Sequence, residues 1–271
     1  MKSDIRMNMP LARLIAVQVC IHGCMTGIRM ASPLLALRQG YSAAAVGVLL
    51  ALFSLAQVFL SLPAGRYADR HGLRRPVAIS VGFTVFGAAL AALWPVFPIL
   101  CMAALLTGGA TGGALIALQR HVGRMASDNT QLKKVFSWLA IGPAISNFVG
   151  PFSAGLMIDH AGFRAAFALM AVMPLASWFM VRKAEELPKV ASVAEAGSKR
   201  AWDLLADPQM RRLLVINWIL SSCWDVHTFV LPVLGHERGF SASVIGSILG
   251  SFAIAATVVR VLMSVVASRV Q

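Results

Sequence analysis

The chain has 271 residues, 58% of them hydrophobic and 13% charged, with a mean hydropathy of +0.74 and a formal net charge of +13. Soluble domains run nearer about 45–50% apolar and about 25% charged, so these figures exclude an ordinary water-soluble globule and point to membrane spans. A charge of +13 would suggest nucleic acid in a soluble protein; here the basic residues lie between apolar runs and collect on one side.

Eight runs approach the roughly 20 apolar residues that cross a hydrocarbon core. They are too long and too continuous for barrel strands, so helices are the expected spanning form. The first, Leu14–Ala36, follows Lys2, Arg6 and Arg13 as a signal peptide would. It is too long for a signal core and lacks a small-x-small cleavage site, so it reads as an uncleaved helix. It carries His22 and Arg29, seven residues apart and so on one helix face. The second, Ala43–Ala64, runs into "GRYADRHGLRRP" at 65–76, which holds four arginines in twelve positions. The third is Val77–Trp94 and the fourth Pro98–Gln119, with "LLTGGATGGALIAL" at its centre. The fifth, Val135–Ile158, contains Gly150, Pro151 and Gly155, small residues suited to close helix packing and a proline that would bend the helix. The sixth is Phe163–Val181.

A polar, mixed-charge linker then covers 182–212, and its second part, Trp202 to Arg212, reads as a short amphipathic helix on the membrane surface. The seventh run, Leu213–Leu234, carries Asp225, the single acidic residue deep in a span, together with His227 and, on the broad face of Asp225, Trp218, Ser221 and Ser222. The eighth is Ser243–Ser264, with Arg260 near its inner end, where its head group would snorkel.

With the N-terminus inside, nineteen Lys/Arg fall on the cytoplasmic side and three, Arg38, Arg164 and Arg238, outside. This bias sets the expected orientation and makes the basic charge a matter of topology and anionic lipid. The four cysteines all fall within spans, so no disulfide framework is indicated, and Cys20 with Cys24 is too small a set for a zinc site.

The chain also repeats itself. "PLLALRQGYSAAAVG" (33–47) recurs as "PVLGHERGFSASVIG" (232–246), an offset of 199 with no gap. Pro33 meets Pro232, Gly40 meets Gly239, Ser42 meets Ser241 and Gly47 meets Gly246. Under the same offset Arg29 meets Thr228 and Asp225 meets Thr26, so the two charges sit at similar depth on repeat-related helices. The expected division is a six-helix unit over 1–181, a cytoplasmic linker over 182–212, and two helices of a second, incomplete unit over 213–271.

This layout and the 65–76 segment resemble the major facilitator superfamily of secondary transporters, whose members join two six-helix bundles as repeats. The family's loop between helices 2 and 3 runs roughly G-x-L-[AS]-D-R-x-G-R-[RK]; Gly65, Ala68, Asp69, Arg70, Gly72 and Arg74 match, with Tyr67 in place of Leu and Leu73 where an arginine is common. The resemblance implies an all-α integral membrane protein truncated after its eighth helix and unable to transport alone. It implies a gating loop of Gly65, Asp69, Arg70, Gly72 and Arg74 that latches one bundle to the other, with Gly65 allowing a close helix approach and Gly72 a tight turn. Many exporters in the family carry G-x8-G-x3-G-P-x2-G-G in helix 5; Gly150, Pro151 and Gly155 match, and Ser137, Ser146 and Ala154 replace the remaining glycines. The fourth span lacks the arginine often found in drug–proton antiporters.

An ionisable group in a span costs roughly 2.5–3.5 kcal/mol on insertion scales and is a functional candidate by default. His22, Arg29, Trp218, Ser221 and Asp225 are therefore the cavity candidates. Arg29 could bind an anionic group while Asp225 takes a coupling proton, or the two could pair to close the outer gate; a static interhelical pair is the plainer alternative. No cluster of His, Asp or Glu suits an enzyme, and neither metal nor cofactor is expected. The expected partners are a small organic solute, exported or taken up as an anion, and membrane lipid, in the inner (plasma) membrane of a bacterium. A transport-inactive binding or assembly protein on the same fold is the remaining alternative. Substrate and oligomeric state are not legible.

Overall fold

The structure, a computed structural model, describes residues 9–184, 186–187 and 206–270. No strand occurs among them. The helices are α1 (Met9–Arg38), α2 (Ala43–His71), α3 (Arg74–Leu93), α4 (Phe97–Met125), α5 (Asn129–Leu139), α6 (Ile141–Val181), α7 (Pro208–Glu237) and α8 (Ala242–Val270). Seven helical stretches are long and apolar enough to cross a membrane. The longest, Asn129–Val181, has 53 residues, or about 80 Å at 1.5 Å per residue, against a hydrocarbon core of about 30 Å.

That stretch folds back at Gly162, whose φ of 81° and ψ of 175° break the helix. Its neighbours on α1 show the reversal. Gly142 lies against Gln18, Ser146 bonds His22, and Gly150 lies against Gly23 and Gly27, so 142–150 runs parallel to α1. Beyond Gly162 the order inverts: Met170 lies against Gly27, Met173 against Gly23, and Ser177 bonds the carbonyl of Val17. The stretch therefore crosses twice, and the eight expected spans are all present. The fifth begins later than the sequence implies. Residues 135–139 belong to α5, a short amphipathic helix that buries Val135 and Leu139 and exposes Lys133 and Lys134. Pro143 explains the break before Ile141, because its ring would clash with the carbonyl of residue 139 in a continuous helix. Of the expected amphipathic stretch 202–212, residues 202–205 lie outside the described residues, and Pro208 to Arg212 are the start of α7 and not part of a separate surface helix; the side chain of Arg260 is also outside the described residues.

Under the 199-residue offset the bounds of α1 fall on those of α7, and the bounds of α2 on those of α8. The two outer turns share their hydrogen bonds as well. The N–H of Tyr41 donates to Ala36 O (3.0 Å) and that of Phe240 to Gly235 O (2.8 Å), with Gly40 and Gly239 both at positive φ. Glycine fills these positions because a side chain there would clash with its own backbone.

Lipid supplies no hydrophobic force between helices, so close backbone contact must hold them. Gly108 sets α4 directly on the backbone of α2 at Phe53, and Gly109 and Gly112 continue that seam along Ala56 and Gln57. Gly150 sets α6 on α1; Gly155 and Gly246 set α6 on α8. The carboxylate of Asp159 accepts the N–H groups of Ala242 (3.0 Å) and Ser243 (2.8 Å), closing the start of α8 from the outer turn of α6. Two apolar cores result, one around Ile28, Phe53 and Phe167, the other around Leu14, Leu73 and Leu118. The polar groups of Gln18, His22, Thr107, Thr111 and Ser146 lie between them.

Candidate functional site

The polar level opens into a pocket of about 90 Å³ between α1, α6, α7 and α8. Its polar lining comes from His22, Thr26, Arg29, Asn147, His227 and Thr228. On α1, residues 22, 26 and 29 share a face by the helical period; on α7, Trp224, His227 and Thr228 do the same.

At the rim, Arg29 Nη2 donates to Asp225 Oδ1 at 2.6 Å. The Arg29 side chain is 16% exposed and that of Asp225 49%. Of the arrangements open to these two charges, the structure has them paired, on helices that the repeat relates. Arg29 Nε is buried and makes no hydrogen bond among the described residues; the same is true of His227 Nε2. His227 instead lies against the Phe252 ring of α8, centroids 4.0 Å apart.

His22 is fixed from α6. Its Nδ1 stands 2.6 Å from Ser146 Oγ, and that hydroxyl is also within 2.9 Å of Gly142 O. The hydroxyl also lies 3.1 Å from Pro143 O, so Ser146 ties His22 to the first turns of α6. Thr26 bonds across the same crossing, to the carbonyl of Ser146 at 2.9 Å.

Trp218 and Ser221 do not reach the pocket. Trp218 is 70% exposed, and Ser221 is exposed. They share a helical face with Asp225, but α7 meets α1 only in its outer half. Pro232 and Gly235 are its buried residues, while 211–221 are exposed throughout. Helical phase located the face, and the lean of α7 removed its inner half from the site. Asn147 and Trp224 are lining residues that sequence reasoning passed over; each is one residue from a position it singled out, Ser146 and Asp225.

The charged segment 65–76 is mostly helix. Gly65, Asp69 and Arg70 belong to α2, Gly72 ends it with φ 77°, and Arg74 starts α3. No close helix approach occurs at Gly65, where the nearest atom to an added Cβ would be Ile116 Cγ2 at 4.0 Å. Nothing in 65–71 breaks a helix apart from this one glycine, and the cationic end suits a helix C-terminus. Asp69 pairs with Arg120 of α4. Glu186, just past α6, accepts the N–H groups of Leu73 (3.1 Å) and Arg74 (2.7 Å), and Arg74 Nε donates to Ala184 O at 2.9 Å. Among the described residues, the partners of Asp69, Leu73 and Arg74 are therefore at the inner ends of α4 and α6, while the N–H of Gly72 bonds Ala68 O of its own helix. Gly150 and Gly155 are both at close helix contacts, as the packing pattern implied, and Pro151 sits between them with its carbonyl against Gly246. Among the described residues no group of three or more His, Cys, Asp or Glu could hold a metal ion.

Comparison with known proteins agrees with this layout. An efflux pump, azaK of Aspergillus niger, is 30% identical over 122 residues, a match that takes in 43% of this chain and 24% of the pump. A crystal structure of a POT family transporter in complex with a thioalcohol-conjugated peptide superposes with a TM-score of 0.56 at 16% identity, over 87% of this chain and 48% of that one. At that identity the likeness is one of fold. The chain thus spans a quarter to a half of the length of these proteins. The Major Facilitator Superfamily itself matches residues 14–271, and the chain belongs to that superfamily.

Proposed function

We propose that the chain is part of a transporter that moves a small organic solute across a membrane by alternating access around the pocket between α1 and α7. The Arg29–Asp225 ion pair carries this reading. A charge within a span is costly, and two opposite charges on repeat-related helices answer that cost only while they meet. The pair sits at the end where α7 touches α1; the other half of α7 stands away. Contact at that end fits a gate at Arg29 and Asp225. A solute with a carboxylate or similar anionic group would take the place of Asp225 on Arg29, whose Nε still has a bond to give. Asp225, once released, would be free to take a coupling proton. Export is the direction favoured by the likeness to a named efflux pump. The positive-inside bias supports an N-terminus and a 65–76 segment in the cytoplasm, and a plasma membrane is the site of action in this reading.

The test is flux in proteoliposomes that hold the complete transporter carrying this chain, against a panel of labelled organic acids, amines and neutral solutes. Saturable movement of acids, reduced about tenfold by Arg29→Gln, a change worth about 1.4 kcal/mol, is the expected result. Undiminished flux of acids in Arg29→Gln would sink the role given to this residue.

A further inference from the structure

A larger cavity lies away from the polar pocket. It is a groove of about 460 Å³ on the outside of the bundle, bounded by α2, α3 and α4. Its walls include Leu60, Ala64 and Tyr67 of α2, Ile79 and Phe83 of α3, and Leu105 of α4. The volume falls within the roughly 300–1,000 Å³ of ordinary ligand sites. Leu60, Ile79 and Phe83 form open lips, 48%, 45% and 51% exposed. From Leu60 to Tyr67 the groove runs about 10 Å along α2 at 1.5 Å per residue, most of the roughly 15 Å depth of one leaflet's hydrocarbon.

The inner mouth is basic. On α2, Arg66 and Arg70 follow Pro63 and Tyr67 of the groove wall by three residues each, and so extend its face. On α3, Arg75 precedes Ile79 by four and extends the opposite wall. All three arginines are exposed. Among the described residues the nearby acids are already engaged: Asp69 by Arg120, and Glu186 by the start of α3. A groove of chain length in the hydrocarbon, with guanidinium groups at head-group depth that pair with no acid among the described residues, matches one ligand chemistry. We propose that this face binds an anionic phospholipid of the inner leaflet, one acyl chain in the α2–α3–α4 groove and its phosphate on Arg66, Arg70 and Arg75. Arginine suits that phosphate because its fork offers paired donors.

Native mass spectrometry of the purified chain, titrated with dioleoyl-phosphatidylglycerol or dioleoyl-phosphatidylcholine, tests the proposal. The expected result is one retained phosphatidylglycerol at a concentration at least about tenfold below that needed for phosphatidylcholine. The triple variant R66Q/R70Q/R75Q should lose that preference. Ile79→Trp, which fills the groove and leaves the charges, should weaken the same adduct about tenfold. The outer triple variant R38Q/R164Q/R238Q removes equal charge from the other side and should retain the preference. Equal retention of both lipids, a preference that survives the inner triple variant or Ile79→Trp, or one lost in the outer triple variant, would overturn the proposal. So would a lipid-free dimer that Ile79→Trp dissociates, which would put a second copy of the chain in the groove.

Discussion

At the residue scale the pocket is organised by who can donate and who must accept. Arg29 has more donors than Asp225 can take, and His22 is tied through Ser146 to the start of α6. The pairing of Arg29 with Asp225 should therefore show as coupling between the two positions. Each single neutralisation, Arg29→Gln or Asp225→Asn, is expected to lower flux about tenfold, and the exchanged pair Arg29→Asp/Asp225→Arg to recover part of it, because contacting charges give interaction energies of about 0.5–3 kcal/mol in double-mutant cycles. Initial rates in proteoliposomes read this directly. Additive losses, with no recovery on exchange, would mean that the two residues act separately. The charges were legible in the sequence because ionisable groups in apolar runs stand out. Asn147 and Trp224 were not, since neither residue type is unusual enough in a span to draw notice. Trp218 and Ser221 were misplaced because helical phase reports a face but not how far along it the neighbour extends.

At the element scale, glycines set the spacing of the helices. Gly150 lies where an added methyl would meet the backbone of α1 at Gly23 and Gly27, and neither backbone can move without the helix. Gly82 of α3 has nothing within 4 Å of the same methyl. Gly150→Ala should therefore destabilise the fold by about 1–3 kcal/mol, the usual range for overpacking, whereas Gly82→Ala should be neutral or gain up to about 1 kcal/mol of helix propensity. Thermal melts in detergent compare the two; equal midpoints would refute the close contact at Gly150. Most elements could be read from sequence because about 20 apolar residues in a row have few alternatives. The matched outer turns were readable for a different reason: Gly40 and Gly239 need a backbone that other residues avoid. What escaped notice was set by single residues with non-local effect. Pro143 moved the start of the fifth crossing from residue 135 to 141, and the charged segment after Ala64 proved to be helix because only Gly72 ends it.

At the scale of the whole molecule, α7 touches α1 at the outer end and stands away at the inner end, and the Arg29–Asp225 pair is the polar contact that joins them there. If the pair is an outer gate, breaking it should open the pocket to the outside without any knowledge of the solute. Thr228 lines the pocket at the level of Arg29, one turn along α7 from Asp225. The most direct measurement is the labelling rate of Thr228→Cys by a membrane-impermeant thiol reagent added outside intact cells, with Cys20, Cys24, Cys101 and Cys223 replaced. The account predicts slow labelling while Arg29 and Asp225 are intact and a rise of at least about tenfold in Asp225→Asn, for a gate worth about 1.4 kcal/mol or more. Equal rates with and without the pair would contradict it.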